Sequence, residues 1–321
     1  ELFARIRRLL KRNPPAVCQP ANHFPPPSTL PESPTPALSG ATITSGLHDQ
    51  YIIGDKLGQG TAGVVFKAQH RFLNRSLAIK ILQPASIVDP ATVTRFKREA
   101  SLVSTLNHPN IVSVYECGVS ALGLPFLVME YLEGKSLNDI LEIEGRLEPN
   151  RMLPLFLQAC EALQHAHDLG IVHRDLKPSN IMISRLSDGK ERLKLVDFGI
   201  AKAIESEDDT LTREGAFVGT PLYMSPEQVK GEGLDSRSDI FSLGCVMYET
   251  LTGHKPFMGS NMFHTLLKRT IETAKPMSEV CPQHNVPEAL ENIVFKAMAI
   301  MRCDRYQTIA CLKDDLSALK I

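Results

Sequence analysis

Hydrophobic patterning along the 321 residues changes character twice. From Tyr51 onward, short apolar runs alternate with polar residues and are broken by glycines, the period-two signal of short strands. Residues 90–106 then take a helical period, with Phe96, Ala100 and Val103 on one face and Asn107 and Pro109 as terminators. Two further strand-like runs follow at 111–118 and 126–131. Beyond Leu137 the apolar positions recur at helical spacing over longer segments, 151–169, 238–252, 261–271, 287–301 and 309–319. Strands first and helices later predict an α+β, bilobal fold. Its small N-terminal lobe, an antiparallel sheet plus one helix, covers 51–131, and a larger, mainly helical lobe covers 132–321. Asp188-Gly189 reads as a hairpin turn inside the second lobe, and no internal repeat is present.

Residues 1–50 follow neither regime. In 1–12, Leu2, Phe3, Ile6, Leu9 and Leu10 recur at helical spacing opposite Arg5, Arg7, Arg8, Lys11 and Arg12. Such a basic stretch can touch anionic lipid or a partner, although a solvated stub is the simpler expectation. Nine prolines between Pro14 and Pro36, with almost no aromatic residues, predict an extended linker. The expected organisation is therefore a disordered segment over 1–50 and one folded domain over 51–321.

Composition narrows the partners. Lys plus Arg number 35 and Asp plus Glu 36, so no global field selects nucleic acid or an anionic membrane. Seven cysteines, an odd number without a C-x-x-C pair, suggest reduced thiols in a cytoplasmic protein rather than a disulfide framework or zinc site. No apolar run reaches the ~20 residues of a membrane span. The chain does not begin with Met, so a longer protein is expected, and a membrane anchor could lie outside this segment.

Candidate chemistry sits in four places. Gly58-x-Gly60-x-x-Gly63-x-Val65 lies between apolar runs. Alone it is ambiguous, because a dinucleotide-binding turn looks the same on paper. Here, however, the β-prone Val64-Val65-Phe66-Lys67-Ala68 follows it, which reads as a strand-turn-strand flap able to bring backbone N–H groups to phosphate oxygens. Lys80 ends the apolar run Leu77-Ala78-Ile79, and an inward lysine needs a partner, for which Glu99 on the predicted helix is placed. The string from His173 to Asn180 sets Asp175 and Asn180 in one loop, and Asp197-Phe198-Gly199 follows. A carboxylate to orient a hydroxyl, with an amide oxygen and a second carboxylate for divalent cations, is what phosphoryl transfer from a metal nucleotide requires.

In this order, these motifs resemble the protein kinase superfamily and, more narrowly, the bacterial Hanks-type, or eukaryotic-like, serine/threonine kinases, from about Tyr51 to Leu319. The resemblance implies that Asp175 accepts or orients the substrate hydroxyl proton, and that Lys177 contacts the γ-phosphate. Lys177 also marks a Ser/Thr kinase rather than the Ala-Ala-Arg loop of tyrosine kinases. Asn180 and Asp197 would bind Mg²⁺ or Mn²⁺, and Lys80, paired with Glu99, the α- and β-phosphates of ATP. Leu57, Gly58, Gln59, Gly60 and Gly63 would cover the nucleotide, and Val65, Ala78 and Met182 would sandwich adenine. Met129 would be the gatekeeper, with backbone groups of Glu130 and Leu132 on the base. Val103, Val114, His173 and Phe198 would stack as a regulatory spine held by Asp239. The segment from Gly219 to Glu227 would position the peptide, with Thr220 bonded to Asp175 and Lys177, and Glu227 in a buried ion pair with Arg305.

Three departures stand out: Ala62 at the flap tip where an aromatic residue is common, Ser225 for Ala before Pro226-Glu227, and Phe241 for a frequent Trp. The segment with Ser206, Thr210 and Thr212 is expected to carry autophosphorylation, chiefly at Thr212 and then Thr210, with Arg174 receiving the phosphate. Self-association for trans-autophosphorylation would follow. The implied function is ATP-dependent transfer to Ser/Thr hydroxyls of proteins. A nucleotide-binding pseudokinase or scaffold and a small-molecule phosphotransferase are the alternatives. Neither loss at Lys80, Asp175 or Asp197 nor loss of the peptide-positioning segment supports them.

Overall fold

The computed structural model describes residues 50–60, 63–82, 90–120, 123–199, 222–284 and 286–320. The basic segment and proline-rich linker, Ala62, Ser206, Thr210, Thr212 and Thr220 lie outside the described residues. In the small lobe, β1 (Tyr51–Gly60), β2 (Gly63–His70) and β3 (Ser76–Leu82) form a meander, followed by α1 (Pro90–Ser104), β4 (Val114–Val119) and β5 (Pro125–Glu130). The five strands are antiparallel in the order β1-β2-β3-β5-β4.

β3 is central and buried on both faces, which explains its nearly unbroken apolar run. Leu77, Ile79 and Ile81 pack with Tyr51, Val64, Phe66 and Val128 on one face. On the other, Ala78 and Leu82 meet the predicted α1 stripe of Phe96, Ala100 and Val103. Lys80 alternates onto this second face and is 7% exposed. Each fully buried large apolar side chain here contributes about 1.5–3 kcal/mol, so the face holding Lys80 is set by its neighbours rather than by the lysine.

The run at 111–118 does two jobs. Ile111 makes a parallel bridge with Leu195, and the Val112 N–H donates to the Leu195 carbonyl at 2.9 Å. Only the part from Val114 joins the small sheet. The segment thus straps the small lobe to the larger one.

The larger lobe contains β6 (Lys135–Ser136), α2 (Leu137–Glu144), α3 (Pro149–Asp168), β7 (Ile181–Arg185) and β8 (Glu191–Leu195). Then come α4 (Pro226–Lys230), α5 (Ser236–Thr252), α6 (Met262–Ile271), α7 (Met277–Val280), α8 (Glu288–Ala297) and α9 (Ile309–Ser317). β6, β7 and β8 form a second sheet in that order, and Gly189 at φ +82° turns β7 into β8 where Asp188-Gly189 predicts a hairpin. α5 is buried at every position from Ser238 to Thr252 and forms the centre of the lobe. α8 stops at Ala297, short of the predicted end at 301, before a 3₁₀ turn at Arg302–Asp304.

Candidate active site

The loop between α3 and β7 carries the first cluster. His173 is fully buried, and its backbone N–H and that of Arg174 donate to the Asp239 carboxylate at 2.8 and 3.0 Å. Asp239 lies in the first turn of α5, so the centre of the lobe fixes the loop. Burial pushes the His173 imidazole below its ordinary pKa and keeps it neutral; its Nε2 lies 3.1 Å from the Val196 carbonyl, to which it donates. Its ring meets that of Phe198 at 4.4 Å. Beyond it, Lys177 Nζ is 2.8 Å from Asp175 Oδ2, and Asn180 Nδ2 donates to the Asp175 carbonyl and Oδ2 at 2.8 and 3.0 Å. The sequence brings Asp175, Lys177 and Asn180 together through the 3₁₀ turn at Pro178–Asn180, which Pro178 starts.

The loop after β8 supplies Asp197. Arg174 and Asp197 both occupy the left-handed region, at φ +64° and +59°, a conformation costing about 1–2 kcal/mol for a non-glycine residue. Gly199 seals the two loops together. Its N–H donates to the His173 carbonyl at 2.9 Å, and a Cβ there would sit 2.9 Å from that same oxygen. Asp197 Oδ2 lies 2.7 Å from Lys80 Nζ, joining the lobes by an ion pair.

That pair corrects one expectation. Among the described residues Lys80 is bridged to Asp197, not to Glu99, which stays half-buried on α1. An ammonium on a buried strand face must have a carboxylate, and the left-handed turn delivers that of Asp197.

Around this pair, β1 and β2 close through Gly60 opposite Gly63. Gly63 has φ +145°, and a Cβ there would lie 2.1 Å from the Ile81 carbonyl, so β3 forbids any side chain. At Gly58 and Gly60 a Cβ would meet nothing within 4 Å, so packing does not demand glycine there. Leu57 and Gln59 are exposed on the same strand. Val65 pairs in register with Lys80, and Ala78 with Met129. Met182, half-buried on β7, pairs with Lys194, which also holds the Glu130 carboxylate at 2.6 Å at the end of β5. Leu132 is half-buried just beyond. Behind Met129 a cavity of about 20 Å³, room for one water-sized group, is lined by Lys80, Val103, Val114, Met129, Asp197 and Phe198 among others. Val103, Val114 and Phe198 thus share one lining, and the His173 ring lies against the last, tilted by 39°.

The segment from Leu222 to Gln228 is built onto α5 and α6. Glu227 and Arg305, each 2% exposed, form a two-pronged ion pair at 2.8 Å on both arms, and Ser238 Oγ donates to Glu227 at 2.7 Å. Burial raises the Glu227 carboxyl, but bonds from Arg305 and Ser238 outweigh it and hold the pKa at about 2. The Arg305 guanidinium also lies over the Phe241 ring at 4.9 Å, so phenylalanine serves at this position as a platform.

Several supports escaped sequence reasoning. Arg269, fully buried in α6, donates to the carbonyls of Leu222 and of Met224, the latter at 3.1 Å. Ser242 Oγ donates to the Tyr223 carbonyl at 2.8 Å, and the Tyr223 hydroxyl donates to Glu249 at 2.5 Å. Gln228 reaches the Arg174 carbonyl at 2.8 Å. The one visible signal is a polar residue inside an apolar helical stretch, as at Ser238, Ser242 and Arg269. It says that a partner exists without saying which.

Two lobes with an ion pair between them and a buried, Asp239-anchored loop define the class as a bilobal phosphotransferase scaffold. Residues 51–316 match the protein kinase domain family. The chain is 41% identical over 278 residues to the serine/threonine-protein kinase PknB of Mycobacterium tuberculosis, covering 86% of this chain and 44% of that protein. To PknB of Mycolicibacterium smegmatis it is 40% identical over 279 residues, with 86% and 44% covered. Among solved structures, the Mycobacterium tuberculosis PknI kinase domain matches at 25% identity and TM-score 0.66, covering 84% of this chain and 95% of that one. Rad53 residues 1–466 in complex with AMP-PNP match at 26% identity and TM-score 0.70, covering 84% and 66%. The chain belongs to the protein kinase family, in its bacterial eukaryotic-like serine/threonine branch. It spans less than half the length of these curated relatives.

Proposed function

We propose that this domain transfers the γ-phosphoryl group of ATP to serine and threonine hydroxyls of proteins. The observation that carries the reading is the grouping of Asp175, Lys177 and Asn180 in one loop anchored on Asp239, with Asp197, two residues beyond β8, joined to Lys80. ATP with a divalent cation supplies the phosphoryl group and neutralises its charge when bound. Asn180 and Asp197 are oxygen donors of the kind Mg²⁺ or Mn²⁺ takes. The Asn180 amide nitrogen is committed to Asp175, which leaves Oδ1 as the acceptor of that group. Among the described residues no group of three or more His, Cys, Asp or Glu side chains could hold a metal by itself, so nucleotide oxygens would complete the shell.

Lys80 would hold the α- and β-phosphates, and Leu57, Gly58, Gln59, Gly60 and Gly63 would cover the nucleotide. Val65, Ala78, Met129 and Met182, with backbone groups of Glu130 and Leu132, would take adenine. Asp175 would hold the acceptor hydroxyl and its departing proton, while Lys177 would steady the transferring group. The segment ending at Glu227 would seat the acceptor peptide. Thr212, then Thr210, would be the autophosphorylation sites read by Arg174, modified between self-associated copies in the cytoplasm. No described helix is long and apolar enough to cross a membrane.

The test is transfer of labelled phosphate from Mg-ATP to a generic protein acceptor, followed by phosphoamino-acid analysis and mapping of the chain's own phosphates. The reading predicts phosphoserine and phosphothreonine, lost on adding a chelator, with Thr212 among the modified residues. Nucleotide binding without transfer, or transfer only to a small molecule, overturns it.

A further inference from the structure

The side chain of Gln228, the second residue after Pro226, is used at both ends. Its Oε1 accepts the Ser225 N–H at 2.8 Å while Ser225 Oγ accepts the Gln228 N–H at 3.4 Å, a capping box that starts α4. Its Nε2 donates at 2.8 Å to the Arg174 carbonyl, 54 positions away in the chain. These partners fix the carboxamide's orientation, since the oxygen must face the N–H and the nitrogen the carbonyl.

The acceptor of that bond is unusual. Arg174 sits at φ +64°, and its N–H is already held by Asp239 Oδ1 at 3.0 Å. Its carbonyl belongs to the peptide group leading into Asp175, so the plane of that group sets where the Asp175 carboxylate stands. A left-handed residue persists only where its surroundings over-determine it. Asp239 fixes one side of Arg174, and Gln228 fixes the other. The residues before Gln228 are fastened separately to α5, α6 and the turn before α9, through Ser242, Arg269 and Arg305.

We infer that Gln228 is a positioning residue: its Nε2 sets the Arg174–Asp175 peptide plane and thereby ties the segment that seats the acceptor to the carboxylate that takes the acceptor's proton. This rests on the reading of Asp175 given above. A residue that merely capped α4 would need only the oxygen of its amide, and glutamate supplies that oxygen equally well. The amide nitrogen is what distinguishes the two roles.

Gln228→Glu therefore separates them, because it keeps the capping acceptor and removes the donor to Arg174. Steady-state transfer to a protein acceptor is measured with melting temperature and the KM for ATP. The expected result is a kcat about tenfold lower, the scale of one hydrogen bond lost in a fixed site, with KM for ATP unchanged and unfolding still cooperative. Gly231→Ala makes the opposite change, straining the left-handed residue that closes α4 and leaving the amide in place. It should lower the melting temperature by about 2–4 °C and leave kcat within about twofold. A wild-type kcat in Gln228→Glu overturns the proposal. So does loss of cooperative unfolding in that variant, or a kcat in Gly231→Ala that falls as far as in Gln228→Glu. Asp175→Asn in the same assay keeps the two claims apart: if it retains activity, the assignment of Asp175 fails, whatever Gln228 does.

Discussion

Lys80 shows how one residue can be costly to the fold and still be held in place. Its strand neighbours Ala78 and Leu82 drive that face of β3 into the core, and the ammonium goes with them, satisfied by Asp197 at 2.7 Å. Packing here belongs to the apolar neighbours, whereas the charge serves the site. Lys80→Met should accordingly unfold as cooperatively as the parent by calorimetry, while turnover with Mg-ATP falls by about a thousandfold, in the range seen when one preorganised charge is removed. Loss of the calorimetric transition would show that the lysine is structural. The sequence placed Lys80 at the end of the apolar run Leu77-Ala78-Ile79, where an inward lysine needs a partner. It did not reveal the partner, because Glu99 and Asp197 are equally good carboxylates on paper, and only the left-handed turn at Asp197 separates them.

At the scale of elements, the short α4 is held by its ends rather than by length, with Ser225 and Gln228 at its start and Gly231 in the left-handed conformation at its close. Its Glu227 gives the segment a measurable pH response. The folded-state pKa of about 2 lies below the ordinary 4.5, so the unfolded chain takes up the proton first as pH falls. The stability contributed, about 3 kcal/mol from the size of the shift, is present above about pH 4.5 and disappears towards pH 2. Denaturant midpoints across that window should fall less steeply in Glu227→Gln than in the parent, and equal slopes would contradict the assignment. Arg305→Met leaves a buried carboxylate unpaired and should cost about 3–5 kcal/mol in urea unfolding. Elements of this size were poorly legible: α2, α4 and α7 are too short for a helical period to emerge, and α2 starts where the Ser136–Asp139 capping box makes it start. The long helices were legible because each has an apolar stripe, or, for α5, is buried throughout.

Across the whole molecule, the order of strands then helices predicted the bilobal α+β fold, and motif spacing singled out Lys80 and Asp197 without showing that they pair across the lobes. What spacing could not supply was three-dimensional closure. The run at 111–118 reads as one strand but splits between lobes at Ile111, and the supports of the Leu222–Gln228 segment come from Ser242, Glu249 and Arg269, residues far apart in sequence. One hydrophobic cluster runs from Ala78 to Leu316 across both lobes, and a second covers the other face of the small sheet. The most direct test of the account is the initial rate of phosphate transfer to a serine-containing protein acceptor by the chain and its Asp175→Asn variant, at saturating Mg-ATP. The expected result is a fall of at least about a hundredfold, with nucleotide affinity and melting temperature unchanged. A variant rate within about threefold of the parent would contradict the assignment of Asp175, and with it the catalytic centre described here.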